Sequence, residues 1–149
     1  MIGFESIQDK LISHAGRLGT FDTVNGHEVT NAPGRGVHAE VYVDTIDPVQ
    51  ASGLAATSVR LGVKVRISTD LSDPQDGVDP RIVGAADAFI GSIHTDFEFD
   101  GDARFVDLLG ARGTPLSGRS GYLTRAGHQF RVIDVIVPVI INDAWPQEA

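Results

Sequence analysis

Apolar side chains at Phe4, Ile7, Leu11, Ala15 and Leu18 recur at spacings of three and four, which puts them on one helical stripe. Asp9, Lys10 and Ser13 fall outside that stripe, and Gly16 and Gly19 mark its end. From Gly19 to Gly36 the chain reads as a connector with turn signals at Asn25-Gly26 and Pro33-Gly34, and a short strand near Phe21 to Val24. The pattern then switches to alternation. Val37, Ala39, Val41 and Val43 face one way and His38, Glu40, Tyr42 and Asp44 the other, until Asp47-Pro48 closes the strand. Val59, Leu61, Val63, Val65 and Ile67 alternate with Ser58, Arg60, Gly62, Lys64 and Arg66, so one face belongs to a core and the other to water or a neighbour.

After a turn-rich stretch from Asp70 to Gly77, Asp79-Pro80 has the signature of an N-cap followed by proline at the first helical position. Ile82, Val83, Ala86, Phe89, Ile90 and Ile93 supply the buried stripe of this second helix. Short strands are expected at Phe97–Phe99 and Phe105–Leu109, then a glycine-rich loop from Gly110 to Gly118. A final hairpin pairs Ser120–Arg125 with His128–Asn142 through Ala126-Gly127. Helix, two strands, helix, then three or four strands predicts one α+β domain over residues 1–149. Its sheet is mixed, mostly antiparallel, with two helices packed on it.

The last strand sets a problem of size. Fifteen residues extended at ~3.3 Å each reach about 50 Å, whereas a domain of this length is only about 40 Å across. Pro138 is the expected bend, and apolar side chains occupy both faces from Ile133 to Ile141 apart from Asp134. Either the strand is central and covered twice, or a second copy of the chain covers one face. The second option makes Ile133, Val135 and Val137 candidate subunit contacts. Trp145, just past the strand, either packs back or anchors a partner.

Composition narrows the function classes. The 149 residues are 42% hydrophobic and 21% charged, which excludes disorder, and no apolar run approaches a membrane span. The opening residues have no basic region or cleavage site of a signal peptide, so synthesis in a cytoplasm is expected. The absence of cysteine removes disulfides and thiolate chemistry. A net charge of −8 opposes phosphate gripping, whereas an acidic wall lets a polyanion slide past. Asp70, Asp73, Asp76, Asp79, Asp87, Asp96, Glu98, Asp100 and Asp102 stand against the single Arg81 in that stretch. Arg112, Arg119 and Arg125 cluster later, opposite in sign. A head-to-tail contact between the two regions would be heterologous and would close into a ring.

Catalytic patterns are weak. In an extended chain His94, Asp96, Glu98 and Asp100 share a face, but i, i+2 ligands sit ~6.5 Å apart, and a solvated acidic face explains them better than a cation site. Asp70, Asp73, Asp76 and Asp79 lack the spacing of an EF-hand loop and read as turn-forming and capping carboxylates. Ser117-Gly118-Arg119-Ser120-Gly121 is no nucleophile elbow, and neither glycine-rich loop ends in Gly-Lys-[Ser/Thr]. The five histidines show no metal-ligand spacing. No cofactor is expected.

Several stretches together resemble the tail terminator proteins of long-tailed bacteriophages, particularly those of phages infecting actinobacteria. They are Ala51-Ser52-Gly53-Leu54-Ala55 running into the Val59–Ile67 strand, and Asp73-Pro74-Gln75-Asp76 leading to Asp79-Pro80 and the second helix. Next come Val106-Asp107-Leu108-Leu109-Gly110 through Pro115-Leu116 and Gly121-Tyr122-Leu123, and the ending from Phe130-Arg131-Val132 to Asn142-Asp143-Ala144-Trp145. The likeness covers most of Phe4 to Trp145, with Phe21–Gly36 the least matched. It implies a homohexameric ring in the neck region of a virion tail, without catalysis. Such a ring caps the tail tube, stops tube polymerisation and forms the joint to the head connector. The implied partners are sister copies, the major tail tube protein and a head–tail connector or neck protein, with genomic DNA passing through the channel without specific binding. On this reading Arg112, Arg119, Arg125, Ile133, Val135, Val137 and Trp145 are candidate interface residues. Asp70, Asp73, Asp76, Asp79, Asp96, Glu98 and Asp100 are candidates for an acidic channel or loop face. The alternatives are another neck or head-completion protein and a small metal-dependent hydrolase using His94, Asp96 and Glu98.

Overall fold

A computed structural model describes residues 1–32, 34–49, 55–71, 75–99, 101 and 103–147. The elements are α1 (Phe4–Arg17), β1 (Thr23–Asn25), β2 (Val37–Val49), β3 (Ala56–Asp70), α2 (Gln75–His94), β4 (Arg104–Val106), β5 (Ser117–Arg125) and β6 (His128–Pro146). They form an α+β fold with one curled, mostly antiparallel six-stranded sheet. Its order is β1-β2-β3-β6-β4, with β5 also on β6, and only β1 runs parallel to its neighbour.

The alternation in β2 and β3 builds the core. Rungs such as Ala39–Ile67–Ile133 and Val41–Val65–Val135 place their apolar side chains on one face. There they meet Ile7, Leu11 and Ala15 of α1 and Ile82, Phe89 and Ile93 of α2. Burial of a Val, Leu, Ile or Phe side chain contributes about 1.5–3 kcal/mol, so this stripe-on-sheet contact dominates the stability. β6 is the central strand. β3 lies along one edge; β5 (against residues 128–136) and β4 (against 139–141) share the other.

Several boundaries differ from the sequence pattern, among them β5, which starts at Ser117 rather than Ser120, and β6, which runs on past Asn142 to Pro146. β2 runs on through Asp47 and Pro48, which pair with Arg60 and Val59. An edge strand tolerates a proline whose nitrogen faces away from the ladder. α2 begins at Gln75 and carries Pro80 inside it. Pro80 forfeits one helical hydrogen bond, and burial of Val78 anchors the extra turn. No strand forms at Phe97–Phe99. Glu98 makes an isolated bridge to Phe105, Phe97 is exposed, and Phe99 packs against the core. β4 is accordingly three residues long, because Asp107 turns out of the sheet and into the loop that follows.

Candidate functional site

The face of the sheet turned away from the helices holds the charged groups. Glu40, Arg66, Asp134 and Arg119 occupy one rung across β2, β3, β6 and β5, so acid and base alternate between neighbouring strands. Arg66 donates Nε to Asp134 Oδ1 at 2.8 Å and Nη2 to Oδ2 at 3.2 Å, a forked pair. Arg125, at the end of β5, donates Nη1 to Glu40 Oε1 at 2.5 Å, and the Val29 N–H donates to Glu40 Oε2 at 3.1 Å. Glu40 is only 1% exposed. Glu28 lies within 4 Å of both Arg66 and Arg125 at the open rim. Burial pushes the Tyr42 hydroxyl up to about 12; the Arg66 charge opposes that shift and the surrounding carboxylates add to it. The Arg66 guanidinium is itself raised, chiefly by its hydrogen bond to Asp134.

The glycine-rich loop after β4 closes on itself. Asp107 is buried, and its two carboxylate oxygens accept the N–H groups of Ala111 and Arg112, each at 2.9 Å. Gly110 has φ +75, and a Cβ there would collide with the Gly113 carbonyl. Arg60, on the outer face of β3, donates to the Thr114 carbonyl and lies 3.9 Å from Asp107. Two converging backbone N–H groups of this kind would hold an anion, and here the chain's own carboxylate occupies them.

A third polar cluster ties the end of α2 to α1. His14, buried on α1, shares a 2.9 Å hydrogen bond with Asp96, and Lys10 approaches the same oxygen at 3.5 Å. Lys10 and His14 also lie against the Phe99 ring. Partial burial pushes the Asp96 carboxyl upward, but the hydrogen bond from His14 and the Lys10 charge outweigh it and hold the group below its usual range.

These contacts redistribute the residues singled out from the pattern. Ile133, Val135 and Val137 are buried inside the chain, because the helices cover their face and strands flank both edges of β6. They are core residues, not subunit contacts. Arg125 is likewise committed to Glu40. Arg112, Arg119 and Trp145 lie at the surface. Among the acids, Asp79 pairs with Arg131 at 3.0 Å, and that guanidinium stacks 4.5 Å over the Tyr122 ring. Asp70 is half-buried at the end of β3, and Asp96 is held by α1. Asp76 and Glu98 remain exposed. Asp73 and Asp100 lie outside the described residues, as do Pro33 and the Ala51–Leu54 stretch. The five described acids therefore do not make one face.

Sequence reading missed Glu40, Glu28, Arg66 and Asp134 as a network. The signal available was that Glu40 and Arg66 share the polar parity of adjacent strands. Among the described residues no three His, Asp or Glu side chains converge as a metal site, and no helix is long and apolar enough to cross a membrane.

Exposed large apolar side chains are scattered, with Val83 on α2, Phe97 and Leu109 in loops and Tyr122 on β5, and three more on the two longest-reaching strands. Val43 and Ile46 on β2 are 42% and 52% exposed, and Trp145 on β6 is 42% exposed. All lie on strands whose remaining apolar positions are largely covered. No family model matches this chain, and no curated protein is significantly similar to it.

Proposed function

We propose that the protein is a structural subunit of a phage virion, a tail terminator. Several copies form a ring that caps the tail tube, ends its polymerisation and presents the joint to the head connector. The observation that carries this reading is the far end of β2 and β6. There Ile46 and Trp145 stay uncovered, as does Val43 nearer the middle of β2, on strands otherwise packed into the core; exposed apolar side chains of this kind are what neighbouring subunits cover. The net charge of −8 suits a channel wall past which DNA slides without being gripped. The stretches quoted from the sequence supply the family.

Mass photometry of the purified chain, alone and mixed with tube subunits, tests the proposal, with negative-stain images of the larger species. A single defined ring with a central hole is expected. Assembly on a tail tip is open to templating, so the mixture is the deciding arm. A monomer in both conditions, with tube length in an assembly reaction unaffected by its addition, would end this reading.

A further inference from the structure

Four strands run in the order β2-β3-β6-β5, each antiparallel to the next. Among the described residues the outer two keep an open flank: β1 covers β2 at His38–Glu40, and β5 pairs with β6. The hairpin settles which backbone groups the β5 flank presents. Ala126 and Gly127 both have positive φ (49 and 78), as a two-residue type I′ turn requires. Arg125 and His128 are then a doubly hydrogen-bonded pair. Alternation turns the N–H and C=O groups of Gly118, Ser120, Tyr122 and Thr124 to the open side.

The β2 flank is more guarded. The Val37 carbonyl accepts from the Asp22 N–H, and the Val41 carbonyl from Gln8, so odd-numbered residues turn outward. The extra residue at Asp44 shifts that alternation to Ile46 and Pro48. Gln8, the bulge and the missing N–H of Pro48 together block indiscriminate pairing. They leave the backbone groups of Val43 and Ile46 for a partner that fits.

We propose that β5 of one copy receives β2 of a second copy edge to edge, so that one sheet continues from subunit to subunit. This rests on the ring reading above and names the surface that would build it. The two faces of such a joint agree separately. On the helix-bearing face, exposed Val43 and Ile46 of one copy arrive beside exposed Tyr122 of the other. On the opposite face, exposed Asp47 arrives beside exposed Arg119. Self-pairing is penalised at both edges: β2 on β2 gathers Asp44 and Asp47 from two copies, and β5 on β5 gathers two Arg119 side chains. Strand direction agrees as well. Because β5 runs opposite to β2, a copy related by rotation alone offers its β2 antiparallel to β5. The joint uses a different patch on each copy, so it propagates from copy to copy, and it closes as a ring when the rotation between copies divides a full turn.

The test uses the full chain, alone and with tube subunits, by mass photometry and light scattering after size exclusion. Ser120→Pro removes an outward donor without touching a bond to β6. Asp47→Arg and Arg119→Asp reverse the two charges singly and together. Far-UV circular dichroism and thermal melts verify the fold of each variant. Each single variant is expected to need at least roughly tenfold more protein to assemble, and the double reversal to recover most of that loss. Wild-type-like assembly by Ser120→Pro and both single reversals overturns the edge joint while the ring stands. If Ser120→Pro misfolds, failure of the double reversal to rescue the single ones overturns it equally. A wild-type chain that is monomeric in both conditions removes the ring and the joint together. Tube-subunit binding lost in Ser120→Pro, with self-assembly intact, reassigns the β5 edge to the tube protein and overturns the pairing between copies.

Discussion

Truncation of Glu40 is the sharpest probe of how the outer face is held. Its carboxylate is 1% exposed and accepts from Arg125 Nη1 at 2.5 Å, Arg125 Nη2 at 3.3 Å and the Val29 N–H at 3.1 Å. Glu40→Ala strands the Arg125 guanidinium, itself 8% exposed, with only the rim carboxylate of Glu28 at 3.9 Å. Breaking a buried pair by removing one member costs about 3–5 kcal/mol, because the remaining charge keeps its desolvation penalty. In a domain of 149 residues each kcal/mol moves the melting temperature by about 2–4 °C, so a fall of about 6–20 °C is expected. The double replacement Glu40→Leu with Arg125→Met removes both charges and should recover most of the loss, since an apolar pair of similar volume fits such a site. Urea unfolding of the wild type, Glu40→Leu, Arg125→Met and the double variant gives the full cycle. A Glu40→Ala variant within about 1 kcal/mol of wild type would refute the reasoning, for it would mean that water reaches the pair.

Three further outcomes follow from the other polar clusters. Asp107→Ala leaves the N–H groups of Ala111 and Arg112 without their acceptor and should cost about 2–3 kcal/mol, with protease cleavage appearing between Leu109 and Pro115 on limited digestion. Tyr42, raised to about 12, binds its proton more tightly folded than unfolded. Its contribution is therefore complete below about pH 10 and lost as pH rises toward 12, and a late-ionising tyrosine in the ultraviolet titration should vanish in Tyr42→Phe. Asp96 is held below its usual range, so its contribution is present above about pH 4 and lost as pH falls through the folded value. Asp96→Asn should flatten acid unfolding in that window, and an unchanged acid limb would show that His14 and Lys10 do not hold the carboxylate.

Long periodic segments were legible from the sequence; closures between distant segments were not. The stripe from Phe4 to Leu18 and the alternation from Val59 to Ile67 each repeat often enough to fix element and face, and Ala126-Gly127 marks its hairpin through the turn geometry alone. Pro48 and Pro80 misled in opposite places. Pro48 reads as a strand stop and Pro80 as a helix start, and tertiary contact overrides both, with β3 beyond the first and buried Val78 before the second. The apolar run from Ile133 to Ile141 left two readings open because composition cannot say whether cover comes from the same chain. α1 and α2 supply it on one face, from segments far earlier in the chain. Arg125 and Glu40 lie 85 positions apart and Arg66 and Asp134 lie 68 apart, and no spacing rule reports such pairs.

The loop after β4 carries its own counter-ion. Asp107 accepts the two amide hydrogens, of Ala111 and Arg112, that would otherwise be open to a dissolved anion, so the loop keeps its shape whatever anion the buffer holds. In the ring proposed above, such a loop beside a polyanion would have nothing to release as the strand moves on and nothing to recapture afterwards.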